Sequence, residues 1–278
     1  MNQNTTEKAF STLRISVLIV MSVGVIFPFL VLIMISLKTK SDFLLNPIGL
    51  PKIWNFKNYA VVFQKAHVLR SFYNSAFITA CAIFCQILFG SMVSYALTKM
   101  NFKHSGVFST AFLLPLIFPI QSIMIPIYII FRNLGLINNP LGMIIIYTAT
   151  GLPLVIFIMT GFMKTIPFQI SEAAIVDGAG QMTIFTRLIL PLLKPIVSTI
   201  IVISGLGIWN DFLMPLIMIT KREQKTLPLI IYNFIGQYNS DWTLICTCIV
   251  FVIAPIITVY ILLQKQVISG VVSGSVKG

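Results

Sequence analysis

Long apolar runs, rather than an alternation or a one-sided stripe, set the pattern of this chain. Six of them can be counted, at 15–37, 76–96, 107–131, 141–163, 196–219 and 244–263, separated by shorter polar links. A stretch of about 20 apolar residues is long enough to cross a hydrocarbon core of about 30 Å as a helix. Inside that core every backbone N–H and C=O needs a partner within the chain, so each run is predicted to be helical. A membrane barrel needs segments of about ten residues with alternating polarity, and none occur. The pattern predicts an all-α, polytopic membrane protein with six transmembrane helices.

The flanks and links differ in character. Lys8 and Arg14 precede the first run, which is the charge order of a signal peptide. The run exceeds the roughly 7–15 apolar residues of such a peptide, and no small-residue cleavage site follows, so it is read as an uncleaved first span. Residues 38–70 form a long link with two proline turns, Asn46–Pro47 and Leu50–Pro51, and then NYAVVF. Residues 221–242 carry an apolar strip, LPLIIYNF, suited either to dip back toward the membrane or to meet a partner. The chain ends QKQVISGVVSGSVKG, rich in Gly and Ser. Pro115, Pro119, Pro126, Pro153 and Pro255 fall inside predicted spans, where a missing N–H and a ring clash kink a helix.

Composition sharpens this reading. Apolar residues are 57% of the 278 and charged residues 9%, against roughly a quarter charged in a soluble domain. The net charge of +12 sits in short flanks between apolar runs. There it meets lipid headgroups and partner proteins, and nucleic acid is excluded as a partner. Six spans place both termini on one face, together with the second-to-third and fourth-to-fifth links. The 19 basic residues divide almost evenly between the two faces, so charge does not orient the chain. Cys81 and Cys85 share one apolar run and Cys246 and Cys248 another. With no polar company they read as small hydrophobes, not as metal ligands or a disulfide framework.

One link holds most of the candidate chemistry. SEAAIVDGAGQMTIFTRLILPLLKP, 171–195, contains two of the seven carboxylates, Glu172 and Asp177. Thr165 is a good helix N-cap and Pro167 suits a first turn. Glu172 suits the positive end of a helix dipole, and Ala173 and Ala174 let another surface come close to the backbone. Gly178 and Gly180 are natural helix stops, and a second short helix is predicted over 183–190 before Pro191 and Pro195 lead into the fifth span. Two readings stay open on the residues alone, a knob for a protein socket and an amphipathic loop lying on lipid. Enzymatic motifs are missing: His67 and His104 fall on opposite faces, and there is neither a metalloprotease signature nor a phosphate-cradling glycine loop.

Glu172-Ala173-Ala174, Gly178, Leu188 and Leu190-Pro191 resemble the signature loop of ATP-binding-cassette importer permeases, with Leu188 where isoleucine is commoner. Asp177-Gly178-Ala179 is similar to the carbohydrate, maltose-type branch, and to its smaller permease. SLKTKSDFLLNP, NYAVVF, FYNSAFITA, GFMKTIP, WNDFLMPLI and SGSVKG also resemble that branch, so the likeness covers nearly the whole chain. It implies a single permease domain over 1–278 with the type I importer fold. It also implies a cytosolic tail over 264–278 and a cytosolic coupling loop at about 165–195, whose helix docks on an ATPase through Glu172, Ala173, Ala174, Asp177, Gly178, Ala179 and Gly180. Both termini are then cytosolic, in a bacterial cell membrane. Ser275, Val276, Lys277 and Gly278 would reach between two ATPase subunits. The implied partners are a second homologous permease, two cytosolic ATP-binding subunits that hold ATP and magnesium, an extracytoplasmic sugar-binding protein and the bilayer. This chain itself is expected to carry no cofactor and to be no enzyme.

Polar residues inside spans are costly unless paired or facing water, so they are the remaining candidates. Asp211, the one carboxylate within a predicted span, stands beside Trp209, Asn210 and Phe212. It is open between a structural acceptor, a lining of the translocation path, and the coupling site of an ion-driven secondary transporter. Asn74, Gln86, Gln121 and Tyr147 are weaker candidates for the path.

Overall fold

A computed structural model describes residues 3–100, 103–236 and 240–275, with side chains described from 11 to 259 and at 261 within those ranges. It is helical, with no strand among the described residues. The chain divides into two compact units, Met1–Val68 with Ile230–Ala254, and Leu69–Leu229 with Pro255–Gly278.

The first unit contains α1 (Gln3–Ser36), α2 (Lys40–Leu45), α3 (Lys57–Lys65) and the start of the last long helix. The Ser11–Ser36 part of α1 has mean hydropathy 2.9, and its most apolar window buries no residue in the protein. Such a helix is stable only where something apolar surrounds it, which is the expectation for a lipid-facing span. Thr39 caps α2, accepting from the Asp42 N–H at 3.3 Å.

The second unit holds α4 (Val68–Lys99, entered one residue before the unit begins), α5 (Ser105–Leu113), α6 (Ile120–Asn133) and α7 (Pro140–Met163). After a turn come α8 (Gln169–Val176), then a helical run of α9 (Gln181–Thr183), a π-turn (Ile184–Ile189) and α10 (Leu190–Leu192). The unit continues with α11 (Lys194–Asn210) and α12 (Leu213–Met218). A 3₁₀ stretch, Pro228–Phe234, covers most of the apolar strip and passes into the first unit at Ile230, and α13 (Trp242–Ser275) returns to this unit from Pro255 onward. Met143, Ile146, Met214, Met218 and Leu229 form one buried apolar cluster, and a second lies beneath 171–195.

Two predicted spans are not straight. Among the described residues four helices are long and apolar enough to cross a membrane alone, or up to six spans if each of two bent pairs counts as one. In the third, α5 tightens into a 3₁₀ turn at Leu114–Ile117 and meets α6 at 99°. Pro115 enters that turn, and Phe118, ahead of Pro119, is extended at ψ 127. A residue before proline is driven out of the helical region by the ring, so the turn forms there. The fifth opens with a 70° bend at Leu193 and is interrupted again at Asp211, whose ψ of 126 ends α11. Thr165 is not the N-cap expected of it: its hydroxyl donates back to the Phe162 carbonyl at 2.8 Å, and α8 starts four residues later without a side-chain cap. The run predicted over 183–190 extends from Gln181 and contains the π-turn. The C-terminal segment is helical through Ser275; Val276, Lys277 and Gly278 lie outside the described residues.

Candidate functional site

The 171–195 link is built on a backbone turn. The N–H of Ala179 donates to Ala174 O at 2.9 Å and that of Gly178 to Ile175 O at 3.0 Å. Gly178 has φ +81, the left-handed conformation such a helix stop needs and glycine adopts without strain. Ala174 faces inward onto Met163, Ile184, Phe185 and Ile189. Glu172, Ala173, Asp177, Gly178 and Gly180 are exposed, Ala179 is half-buried, and Val176 stands 86% exposed at the turn. The outer surface therefore sets two carboxylates and several small residues among the apolar side chains of Ile175, Val176 and Met182, while the inner side is packed.

Residues outside the link hold it to α4. The Tyr95 hydroxyl donates to Gln181 Oε1 at 2.8 Å, and its ring lies 5.2 Å from that of Phe185. Just ahead of the link, in the turn that leads into α8, the buried Lys99 ammonium donates to Ile166 O at 2.6 Å and sits 5.8 Å from the centre of the Phe168 ring. Sequence reasoning passed over both, because a Tyr or Lys at a span end is ordinary interfacial chemistry.

From these anchors a close seam runs along α4 and α7. Thr98 Oγ1 contacts Met163 Sδ at 3.6 Å, Thr160 donates to Ser94 Oγ at 3.2 Å, and Ser94 donates to Ile156 O at 3.3 Å. Farther along, a Cβ on Gly90 would fall 2.6 Å from Val155 Cγ1, and one on Gly151 2.1 Å from Gln86 Nε2. Small residues and interhelical hydrogen bonds are what bring helices together in lipid, where apolar burial drives nothing. The recurrence of Gln86, Gly90 and Ser94 every fourth residue was the legible signal of this face.

The seam ends in a polar group that joins three predicted path residues. Gln86 donates through Nε2 to Tyr147 O at 2.7 Å, and the Tyr147 hydroxyl donates to Asp211 Oδ2 at 2.9 Å. Asp211 Oδ1 accepts from the N–H groups of Leu213 and Met214 at 3.0 and 3.4 Å, so the carboxylate starts α12. The other candidates lie elsewhere. Asn74 donates to the carbonyls of Glu223 and Lys225, Gln121 is exposed in the first turn of α6, and Asn210 is exposed. Trp209 packs edge-on to Phe72 at 5.6 Å beside an apolar cleft of about 470 Å³ that Ile83, Leu206 and Pro255 also line.

Comparison with known proteins bears on this geometry. Residues 86–272 match the family described as binding-protein-dependent transport system inner membrane component. Over 93% of its length the chain is 33% identical to 94% of the "Probable starch degradation products transport system permease protein AmyC" of Thermoanaerobacterium thermosulfurigenes. It is 34% identical over 90% of its length to 91% of the melibiose/raffinose/stachyose import permease protein MelC of Bacillus subtilis. Its fold is similar to a chain from the crystal structure of a bacterial ABC transporter involved in the import of the acidic polysaccharide alginate. That match has a TM-score of 0.80 at 22% identity and covers 94% of this chain and 97% of the other.

Proposed function

The chain belongs to the binding-protein-dependent transport system inner membrane component family, and from that premise we propose that it is a permease subunit of an ATP-driven oligosaccharide importer. Members are multi-pass transport subunits of the bacterial inner membrane, not enzymes, and ATP is hydrolysed by separate subunits. The names of two relatives, a probable starch degradation products transport permease and a melibiose/raffinose/stachyose import permease, support the substrate class. A second permease related to this chain encloses the other half of the path. Two cytosolic ATPases, carrying ATP and magnesium, bind below, and an extracytoplasmic sugar-binding protein delivers substrate from above. Both termini are cytosolic in this reading.

A single observation carries the assignment of the 171–195 link as the transmission point. Its outward face carries Glu172 and Asp177 among small and apolar side chains, while its inward face is packed and tied to α4 through Tyr95, and Lys99 holds the turn just ahead of it. A push on Glu172, Ala173, Asp177, Gly178 and Gly180 thus reaches the α4–α7 seam without passing through a soft joint. Packed elements move as bodies rather than deforming continuously, so ATP-driven closure of the ATPases tilts the seam and changes the side on which the path opens. Ser275, Val276, Lys277 and Gly278 add a second contact on the ATPase. The path itself draws on Trp209, Asn210 and Gln121, while Asn74, Gln86, Tyr147 and Asp211 hold its walls.

The test is uptake of a labelled oligosaccharide by proteoliposomes holding the chain with its co-expressed partners. Uptake is expected to follow ATP and to survive an uncoupler; uptake that ignores ATP and collapses with the proton gradient would overturn the reading. Glu172→Lys is expected to abolish co-purification of the ATPase while the chain still inserts, and undiminished co-purification would remove the link from the coupling role.

A further inference from the structure

The link between α1 and α3 has a frame made of buried polar groups. Lys38, fully buried, donates through Nζ to Asn46 O and to Pro47 O, the latter at 3.3 Å. The Asn58 amide donates to Ser36 O and Lys38 O, both at 2.8 Å, and the Asn55 N–H donates to Leu37 O at 2.7 Å. Asp42, also buried, accepts from the Lys52 N–H at 3.0 Å. With these polar groups turned inward, all but Asp42 Oδ1 hydrogen-bonded, this frame turns large apolar side chains outward: Leu45 at 78% exposure, Ile53 at 70%, Trp54 at 55%, and Ile48, Leu50 and Phe56 beside them. Exposed apolar surface on a rigid frame marks a surface that something covers.

The charges select what covers it. Lys40, Lys52 and Lys57 are exposed among these side chains, and Asp42, the only carboxylate in 38–70, is buried. Protein interfaces deplete lysine around their apolar centres, whereas Trp and Leu interleaved with Lys is the composition of a segment lying in a membrane–water interface. Lysine stems cover apolar surface while the ammonium stays among phosphates. The apolar face also continues an outward-facing apolar one, because the most apolar window of Ser11–Ser36 in α1 buries no residue and the helix runs into the frame at Ser36.

We propose that residues 40–57 form an interfacial collar, lying in the headgroup layer of the leaflet where α1 leaves the bilayer and binding anionic phospholipid. The proposal rests on the membrane placement of α1 and not on the coupling role of 171–195, so each can fail alone.

The experiment places an environment-sensitive fluorophore on Ile53→Cys, and separately on Leu45→Cys. The full chain sits in vesicles of phosphatidylcholine with or without phosphatidylglycerol, and the labelled unsubstituted chain reports the background from Cys81, Cys85, Cys246 and Cys248. At both positions the emission is expected to shift to the blue. Nitroxide lipids labelled near the headgroup should quench it more than lipids labelled near the chain end, and omitting phosphatidylglycerol should weaken the quenching. Water-like emission with free access to iodide at both sites would overturn the proposal. So would shielding that appears only when the partner subunits are added, which would make the surface a protein dock.

Discussion

Two interruptions in the helices of the second unit solve the same problem differently. At Gly178 the chain stops α8 with backbone hydrogen bonds alone and leaves small side chains outside. At Asp211 it stops α11 inside an apolar span, and there a side chain does the work: the carboxylate accepts two N–H groups of α12 and the Tyr147 hydroxyl. The environment accounts for the difference. Water serves the free ends of a helix at a membrane surface, but within the bilayer a break must bring its own acceptor. The surface turn is thus free to be shaped for a partner, while the intramembrane break is committed to holding the fold.

The sharpest way to break this comparison is to remove the acceptor. Asp211→Leu leaves the Leu213 and Met214 N–H groups and the Tyr147 hydroxyl without their partner, at a cost of about 3 kcal/mol or more. The melting temperature of the detergent-purified chain should fall accordingly; a variant as stable as the parent would mean that water already serves this break. Next is Gly151→Ala, whose methyl collides with the Gln86 amide and displaces it from Tyr147 O. Overpacking of this kind costs about 2 kcal/mol. Adding Gln86→Ala should return part of that loss, so a double-mutant cycle that shows simple additivity would disconnect the seam from the polar group.

What the sequence revealed follows the same division. Apolar runs located the spans, since crossing a bilayer is a matter of length and hydropathy, and Asp211 stood out because a carboxylate there is expensive. Direction was not legible. The run over 107–131 is uniformly apolar, and only geometry shows that Pro115 and Pro119 fold it through 99°. Thr165 looked like a cap because capping is read from residue type, yet its hydroxyl had a nearer acceptor at Phe162 O. The loop was legible through Glu172, Ala173, Ala174 and Gly178. Its anchor, Tyr95, lies 86 residues before Gln181, and Lys99, which holds the turn ahead of the loop, lies 67 residues before Ile166; both belong to it only through the fold.

The surface turn should be more forgiving. Gly178→Ala meets no atom within 4 Å of the new Cβ, so its whole cost is the left-handed backbone at φ +81, about 1 kcal/mol. Stability of the chain should change little, while ATPase co-purification should fall by roughly tenfold if the corner's shape is what the partner reads. Equal losses in both measurements would make the turn a structural element like the one at Asp211.

The smallest effect is expected from Asp211→Asn, and it separates holding a helix from carrying an ion. An asparagine oxygen still accepts from the Leu213 and Met214 N–H groups, because Asn and Asp rank alike as helix caps. Its amide nitrogen takes the place of Oδ2 opposite Tyr147, and that bond survives with its direction reversed, the phenol oxygen now accepting. The net loss should stay below about 1 kcal/mol, the size of one neutral hydrogen bond, and ATP-driven uptake should persist. An ion-coupled transporter that used this residue would stop with the substitution, since the amide neither releases nor takes up the coupling proton. Uptake abolished in a correctly assembled, normally stable variant would therefore make Asp211 a working part of the transport cycle and not the cap of α12.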